Sequence, residues 1–374
     1  MVNLREDEFG VYTDETAGKS IPVKRFTWEN ENKLSVQVIT YGATIISIKF
    51  PDKDGIIEDV VTGFSNLTGY RNAENPYFGA TIGRVANRIA FGKFDCLGTV
   101  VEVSKNAEPH QLHGGFVGFD KVIWEHFVDS NKLILSYHSA DLEEGFPGSV
   151  VTHARFELTS KNEFVIEFKA TSTKPTYINL TSHSYFNLAG HSKGAAELYK
   201  HMVCINADRI TEVGDDGIPT GQLLPVAGTV FDFQQLKILG DAIGRLPDRD
   251  GFDHNFCIKV GAGKRDHIAR VYHPGSERTL DVYSNQPGVQ FYTANNFPED
   301  PGADKDDKSE VKTLAGKDGN YYKHGAFCLE TQNWPDAANH KNFPKAITRP
   351  GETYYHYVAY KFFVKDCKCS EFSF

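Results

Sequence analysis

The stretch "TYYHYVAYKFFV" (353–364) decides the fold class. Tyr354, His356, Val358, Tyr360 and Phe362 fall on one side of a period-two repeat. A helix would scatter the same five residues around its axis, whereas a strand lines them along one face. Aromatic and β-branched side chains also suit a pleated surface. The segment is predicted to be a strand.

The same period runs the length of the chain. In "LSVQVITYG" (34–42), Leu34, Val36 and Val38 face one way while Ser35 and Gln37 face the other. In "NEFVIEFKATS" (162–172), Phe164, Ile166 and Phe168 alternate with Val165, Glu167 and Lys169. "TVVEVS", "KLILSYHSA", "VVTHARFEL", "RTLDVYS" and "GVQFYTA" read likewise, punctuated by turn sequences such as "PDKDG", "GDDGIPTG", "HPGS" and "NQPG". Only "LGDAIGRLP" (239–247) promises a short helical turn, stopped by Pro247. Strands without βα alternation predict an all-β fold, a large sandwich or barrel. No linker or fixed-period repeat divides residues 1–374, so one domain is expected. Residues 298–325 read as an exposed insertion and 365–374 as a polar tail.

The 374 residues carry a net charge of -9, which argues against nucleic acid or an anionic membrane as the main partner. The start, "MVNLREDEFG", has no apolar core of a signal peptide, and no stretch approaches the ~20 apolar residues of a membrane span. The six cysteines are scattered, and the C-x-C of Cys367 and Cys369 is not zinc spacing. Reduced thiols and a cytoplasmic protein are expected.

Six stretches carry candidate chemistry. "GATIGRVANRIAFGKF" (79–94) holds Asn87 and Arg88; the arginine reads either as a structural ion-pair partner or as a planar fork for ligand oxygens. "HQLHGGFVGFDKVIW" (110–124) places His113 before two glycines. "YINLTSHSYFNLAGH" (177–191) sets His183 among hydroxyls and amides. "GFDHNFCI" (251–258) contributes Asp253, and "QPGVQFYTANNF" (286–297) projects Gln290 between aromatics. In "AFCLETQNWPDA" (326–337) an apolar run ends in Glu330, and a buried carboxylate needs a partner, a proton or a task. No third ligand accompanies His110 and His113, so no metal is implied, and no G-x-S-x-G elbow supports a serine hydrolase. Acids, imidazoles, amides and aromatics together suit a sugar pocket.

The ordered set "GRVANRI", "LHGG", "GFDKVIW", "LTSHSYFNL", "GFDHNF" and "CLETQNWPDA" closely resembles the aldose 1-epimerase (galactose mutarotase) family, over roughly 20–364. The resemblance implies an antiparallel β-sandwich of the galactose mutarotase-like supersandwich type and interconversion of α and β anomers of aldoses such as galactose and glucose. It makes Glu330 the general base and His183 the general acid. It places Asn87, Arg88, His113, Tyr185, Asp253 and Gln290 against the sugar, with no cofactor or metal, in a monomer. Trp334 and Phe291 are open to either a stacking or a core role. Glu330 is expected ionised, and Asp253 is expected to help keep His183 charged. A hexose-6-phosphate 1-epimerase and a non-catalytic carbohydrate sensor are the competing readings.

Overall fold

Residues Tyr354–Val364 form a strand inside a nine-stranded sheet, paired with Glu163–Ser172 on one side and Arg278–Ser284 on the other. His356, Val358, Tyr360 and Phe362 are buried on its inner face, as the period-two pattern requires. This computed structural model describes residues 2–14, 18–247, 250–259, 265–302 and 312–365.

Two further large sheets accompany it. A five-stranded sheet runs in chain order from Val2–Asp14 to Ile57–Asp59. A six-stranded sheet has the spatial order Tyr185–Phe186, Phe327–Gln332, Gly288–Tyr292, Asp253–Ile258, Ala207–Val213, Pro219–Pro225. Every ladder between these strands is antiparallel, and an isolated bridge from Val61 to Phe186 links the chain after the first sheet to the edge of the third; the sheets pack face to face as a sandwich. One apolar cluster draws on all three sheets: Phe26 and Trp28 from the first, Phe156, Phe168 and Tyr360 from the second, Phe291 and Phe327 from the third. Each such aromatic, fully buried, contributes about 1.5–3 kcal/mol. "LGDAIGRLP" does form a short helix, Leu239–Gly244. Among the described residues no helix is long and apolar enough to cross a membrane.

The described parts of 298–325, expected as an exposed insertion, are exposed at many positions and anchored at a few. Leu314, Tyr321 and His324 are buried, and the first two join an apolar cluster with Phe78, Tyr185 and Tyr292. The Lys317 ammonium donates to the Asp59 carboxylate and to the Val61 carbonyl, both at 2.8 Å. The stretch looks polar because its few apolar anchors are spaced among charges. Residues 303–311 lie outside the described residues, as do 366–374 with Cys367 and Cys369. The cysteines that are described, Cys96, Cys204, Cys257 and Cys328, are buried free thiols.

Candidate active site

The six-stranded sheet builds the floor of a cleft by strand alternation. Glu330 stands opposite Gln290 in the ladder, and Gln290 opposite Asn255. The next row is Tyr185, Cys328, Tyr292 and Asp253. Residues two apart share a face, so both rows point the same way. Phe327, Leu329 and Phe291 point the other way, into the core. Glu330 therefore ends no apolar run: it belongs to the polar face of a strand buried on both sides.

The opposite wall comes from loops. Tyr77, Asn87 and His113 all hold positive φ (65°, 63° and 51°), a conformation that costs a non-glycine residue free energy and recurs at functional sites. The loops are tied together. The Asn87 N–H donates to His113 Nδ1 (3.2 Å), His113 N–H donates to the Asn87 carbonyl (3.0 Å), and Gln111–Leu112 pairs with Arg88–Ile89. The two walls enclose about 260 Å³ lined by every predicted site residue: Asn87, Arg88, His113, His183, Tyr185, Asp253, Gln290 and Glu330. That is just under the ~300 Å³ at which drug-sized pockets begin.

His183 sits between two tyrosines. Tyr185 stacks on it at 4.9 Å and 17°, Tyr77 at 5.9 Å and 18°. Its Nε2 lies 3.5 Å from Glu330 Oε2, and its Nδ1 lies 3.7 Å from Cys328 Sγ. The Glu330 oxygen has no hydrogen-bond partner among the described residues. Gln290 Nε2 donates to Asp253 Oδ1 at 2.7 Å, which fixes the amide and holds one carboxylate oxygen. Among the described residues no hydrogen bond or ion pair holds the Arg88 guanidinium, so its donors are open to a ligand.

Burial controls the ionisation of the pair. It pushes the Glu330 carboxyl well above its ordinary value, with the nearby Asp253 charge adding to the rise. It lowers His183 to about 3. The expectation that Asp253 keeps His183 charged is thus overturned. Desolvation dominates at the imidazole, and Asp253 acts on Glu330 instead. Neither charge is favoured alone, so the two groups hold a single proton between them over a wide pH range.

His113, His183 and Glu330 bring three possible metal-ligating atoms within 4.8 Å of one another. The hydrogen bonding does not suit a metal. His113 Nδ1 accepts from the Asn87 amide, which puts the proton on Nε2 and turns a donor, not a lone pair, toward the cleft. Burial, with His183 and Arg88 nearby, holds this imidazole neutral.

The structure also decides two open residues. Phe291 stacks on Phe252 in the core, and the Trp334 indole donates to the Pro287 carbonyl (2.8 Å); neither lines the cleft. Among the cleft elements that escaped sequence reasoning are Tyr77, Tyr292, Phe297, and the wall formed by Lys312, Thr313 and Leu314. The proline before Tyr77 and the glycine two residues after it were the available signal for that turn.

Fold and cleft together define a β-sandwich protein with a buried histidine–glutamate pair in a polar, aromatic-lined cleft. The chain belongs to the aldose 1-epimerase family, whose model matches residues 24–361. A galactose mutarotase of Rattus norvegicus is 45% identical over 343 residues, 91% of this chain and 94% of its own length. The galactose mutarotase of Homo sapiens is 44% identical with the same coverage. The aldose 1-epimerase of Escherichia coli K12 is 32% identical over 350 residues, 91% of this chain and 95% of that one. Among solved structures, a GalM/aldose epimerase homologue from C. elegans superposes with a TM-score of 0.79 at 27% identity, covering 90% of this chain and 98% of that one. A galactose 1-epimerase from Lactobacillus acidophilus shares the fold, with a TM-score of 0.80 at 24% identity, covering 98% and 100%.

Proposed function

We propose that this enzyme interconverts the α and β anomers of free aldohexoses such as galactose and glucose, with Glu330 as base and His183 as acid. The observation that carries the assignment of roles is the 3.5 Å pair with one unpartnered carboxylate oxygen facing the cleft. Ring opening takes the proton from the anomeric O1–H onto Glu330 as the C1–O5 electron pair leaves. His183 delivers its proton to O5, and C1=O1 forms. The reactive form is the minor arrangement of the one-proton pair, imidazolium–carboxylate, and the step turns it into neutral imidazole and carboxylic acid, the direction that burial favours. After a half-turn about C1–C2 the aldehyde presents its other face. O5 then attacks C1 and returns its proton to His183, while Glu330 reprotonates O1. Each positioned acid or base typically contributes about 10²–10⁴-fold.

Binding falls to the remaining groups. Arg88 offers the free guanidinium fork, His113 an Nε2–H donor, and Asp253 with Gln290 a linked acceptor–amide pair for adjacent hydroxyls. Tyr185 and Tyr77 flank the His183 ring and hold its plane. The enzyme acts as a monomer of a single domain in the cytoplasm, a setting that suits the buried free thiols.

Polarimetry tests the reading. Freshly dissolved α-D-galactose and α-D-glucose should reach the same final rotation faster with protein than without. Acceleration restricted to 6-phosphorylated sugars, or sugar binding with no acceleration, would replace this reading by one of its competitors.

A further inference from the structure

Two ties join the loop that follows Glu330 to the loop that carries Arg88. The first is Asp336. Its side chain is buried, and Oδ1 accepts from the Ala90 N–H at 3.0 Å and from Asn339 Nδ2 at 2.6 Å. Its other oxygen lies 3.4 Å from His340 Nε2. The second tie is Asn179. Its Oδ1 accepts from the Asn333 N–H (2.9 Å), its backbone carbonyl accepts from the Ala86 N–H (2.7 Å), and its own N–H donates to the Arg84 carbonyl (3.1 Å). Residues 86 and 90 bracket Arg88, so the loop is fastened on both sides of it.

This matters because the guanidinium itself is not fastened. Gly217, at the tip of a hairpin, comes close to it: an added Cβ there would lie 3.2 Å from Arg88 Cζ. Gly217 limits how far the fork can swing but offers no acceptor side chain. The aim of Arg88 is therefore set by its backbone.

We propose that Asp336 is a positioning residue for Arg88: by holding the Ala90 amide it sets the guanidinium in register with the Glu330 strand. The proposal rests on Arg88 as a sugar-binding group. The acidic residue six places after the base is thus the strut that keeps base and binding fork at a fixed separation, and it touches no sugar itself.

The test is steady-state kinetics of anomer exchange with purified full-length variants, checked for folding by circular dichroism. Asp336→Ala should raise KM about tenfold and leave kcat within about threefold, since a displaced positioning group weakens binding ahead of chemistry. Asp336→Asn keeps an oxygen for the Ala90 N–H and should return KM to within about threefold of the parent. In Arg88→Ala, adding Asp336→Ala should raise KM no further. An unchanged KM in folded Asp336→Ala, or effects of the two substitutions that multiply, would overturn the proposal. If Asp336→Ala does not fold, Asp336→Glu, which moves the acceptor by one carbon, is expected to show the same KM rise, and a normal KM there would overturn it too. Arg88→Ala alone separates the levels: an unchanged KM in that variant would sink the sugar-binding role of Arg88, whereas a raised KM beside a silent Asp336→Ala sinks only the positioning role.

Discussion

Nε2 of His183 and Oε2 of Glu330 face each other across 3.5 Å in a cleft that buries both side chains. Burial drives the imidazole down to about 3 and the carboxyl well above its ordinary range. Below about 3 the pair binds a second proton and no base is left. Above the raised value of Glu330 the pair is empty and no acid is left. Between these limits it carries the one proton that ring opening needs. The profile of kcat/KM against pH should therefore be a broad plateau, with its acid limb near 3 and its alkaline limb well above the carboxylate range. A limb at the ordinary histidine value would contradict the assignment.

Asp253 adds to the rise at Glu330 through its charge. Asp253→Asn removes that charge, so Glu330 ionises more readily and the alkaline limb of kcat moves to lower pH. KM should rise in the same variant, because the Gln290 amide loses its carboxylate partner. Following kcat alone at saturating sugar separates the two effects. A limb that stays in place would show that Asp253 does not sense the base.

Glu330→Gln should lower kcat by about 10²–10⁴-fold, the usual contribution of a general base. Sugar binding, followed by calorimetry, should be largely retained. The same change should stabilise the fold at alkaline pH. A carboxyl whose folded value is raised contributes stability below its unfolded value and loses it as pH rises through the folded one; the amide has no such loss. Urea midpoints of variant and parent should diverge in favour of the variant as pH rises above the ordinary glutamate range. Equal midpoints throughout would mean that the carboxyl is not under strain.

Lys317 pins the wall formed by residues 312–314 to Asp59 and Val61. Lys317→Met leaves the Asp59 carboxylate buried without its cation and should cost about 3 kcal/mol, in the range for breaking a buried pair. It should also raise KM, because the segment lines the cleft. Destabilisation without any change in KM would confine this segment to a structural role.

The sheets were legible wherever one strand face is apolar and the other is not, as in Val150–Leu158. "FCLETQ" hid its alternation because both faces are buried, one in the core and one in the cleft, so Cys328 and Leu329 look alike in sequence. All eight predicted site residues meet in one cleft because each sits in a dense motif. The turn at Tyr77 had its proline and glycine as a signal, but its approach to the cleft, like that of the 312–314 wall, depends on how loops far apart in sequence fold over the sheet. The ionisation of the pair was equally hidden: unperturbed values gave a charged base and acid, and only three-dimensional burial reverses both. Trp334 and Phe291 were undecidable because an aromatic beside a motif serves core and cleft equally well until strand phase is known.

The cleft draws on Tyr77, Asn87, His113, His183, Asp253, Gln290 and Glu330, and the six-stranded sheet beneath it pairs strands in an order unlike their order in the chain. Tyr185–Phe186 finds its ladder partner only when Phe327–Gln332 has been made. Closing such distant loops is slow, because chain entropy is lost before the contacts form. The chain must therefore be made through Glu330 before the His183–Glu330 pair can exist. Recovered mutarotation then requires all of these distant pairings together, and not only ladders between strands that are neighbours in the chain.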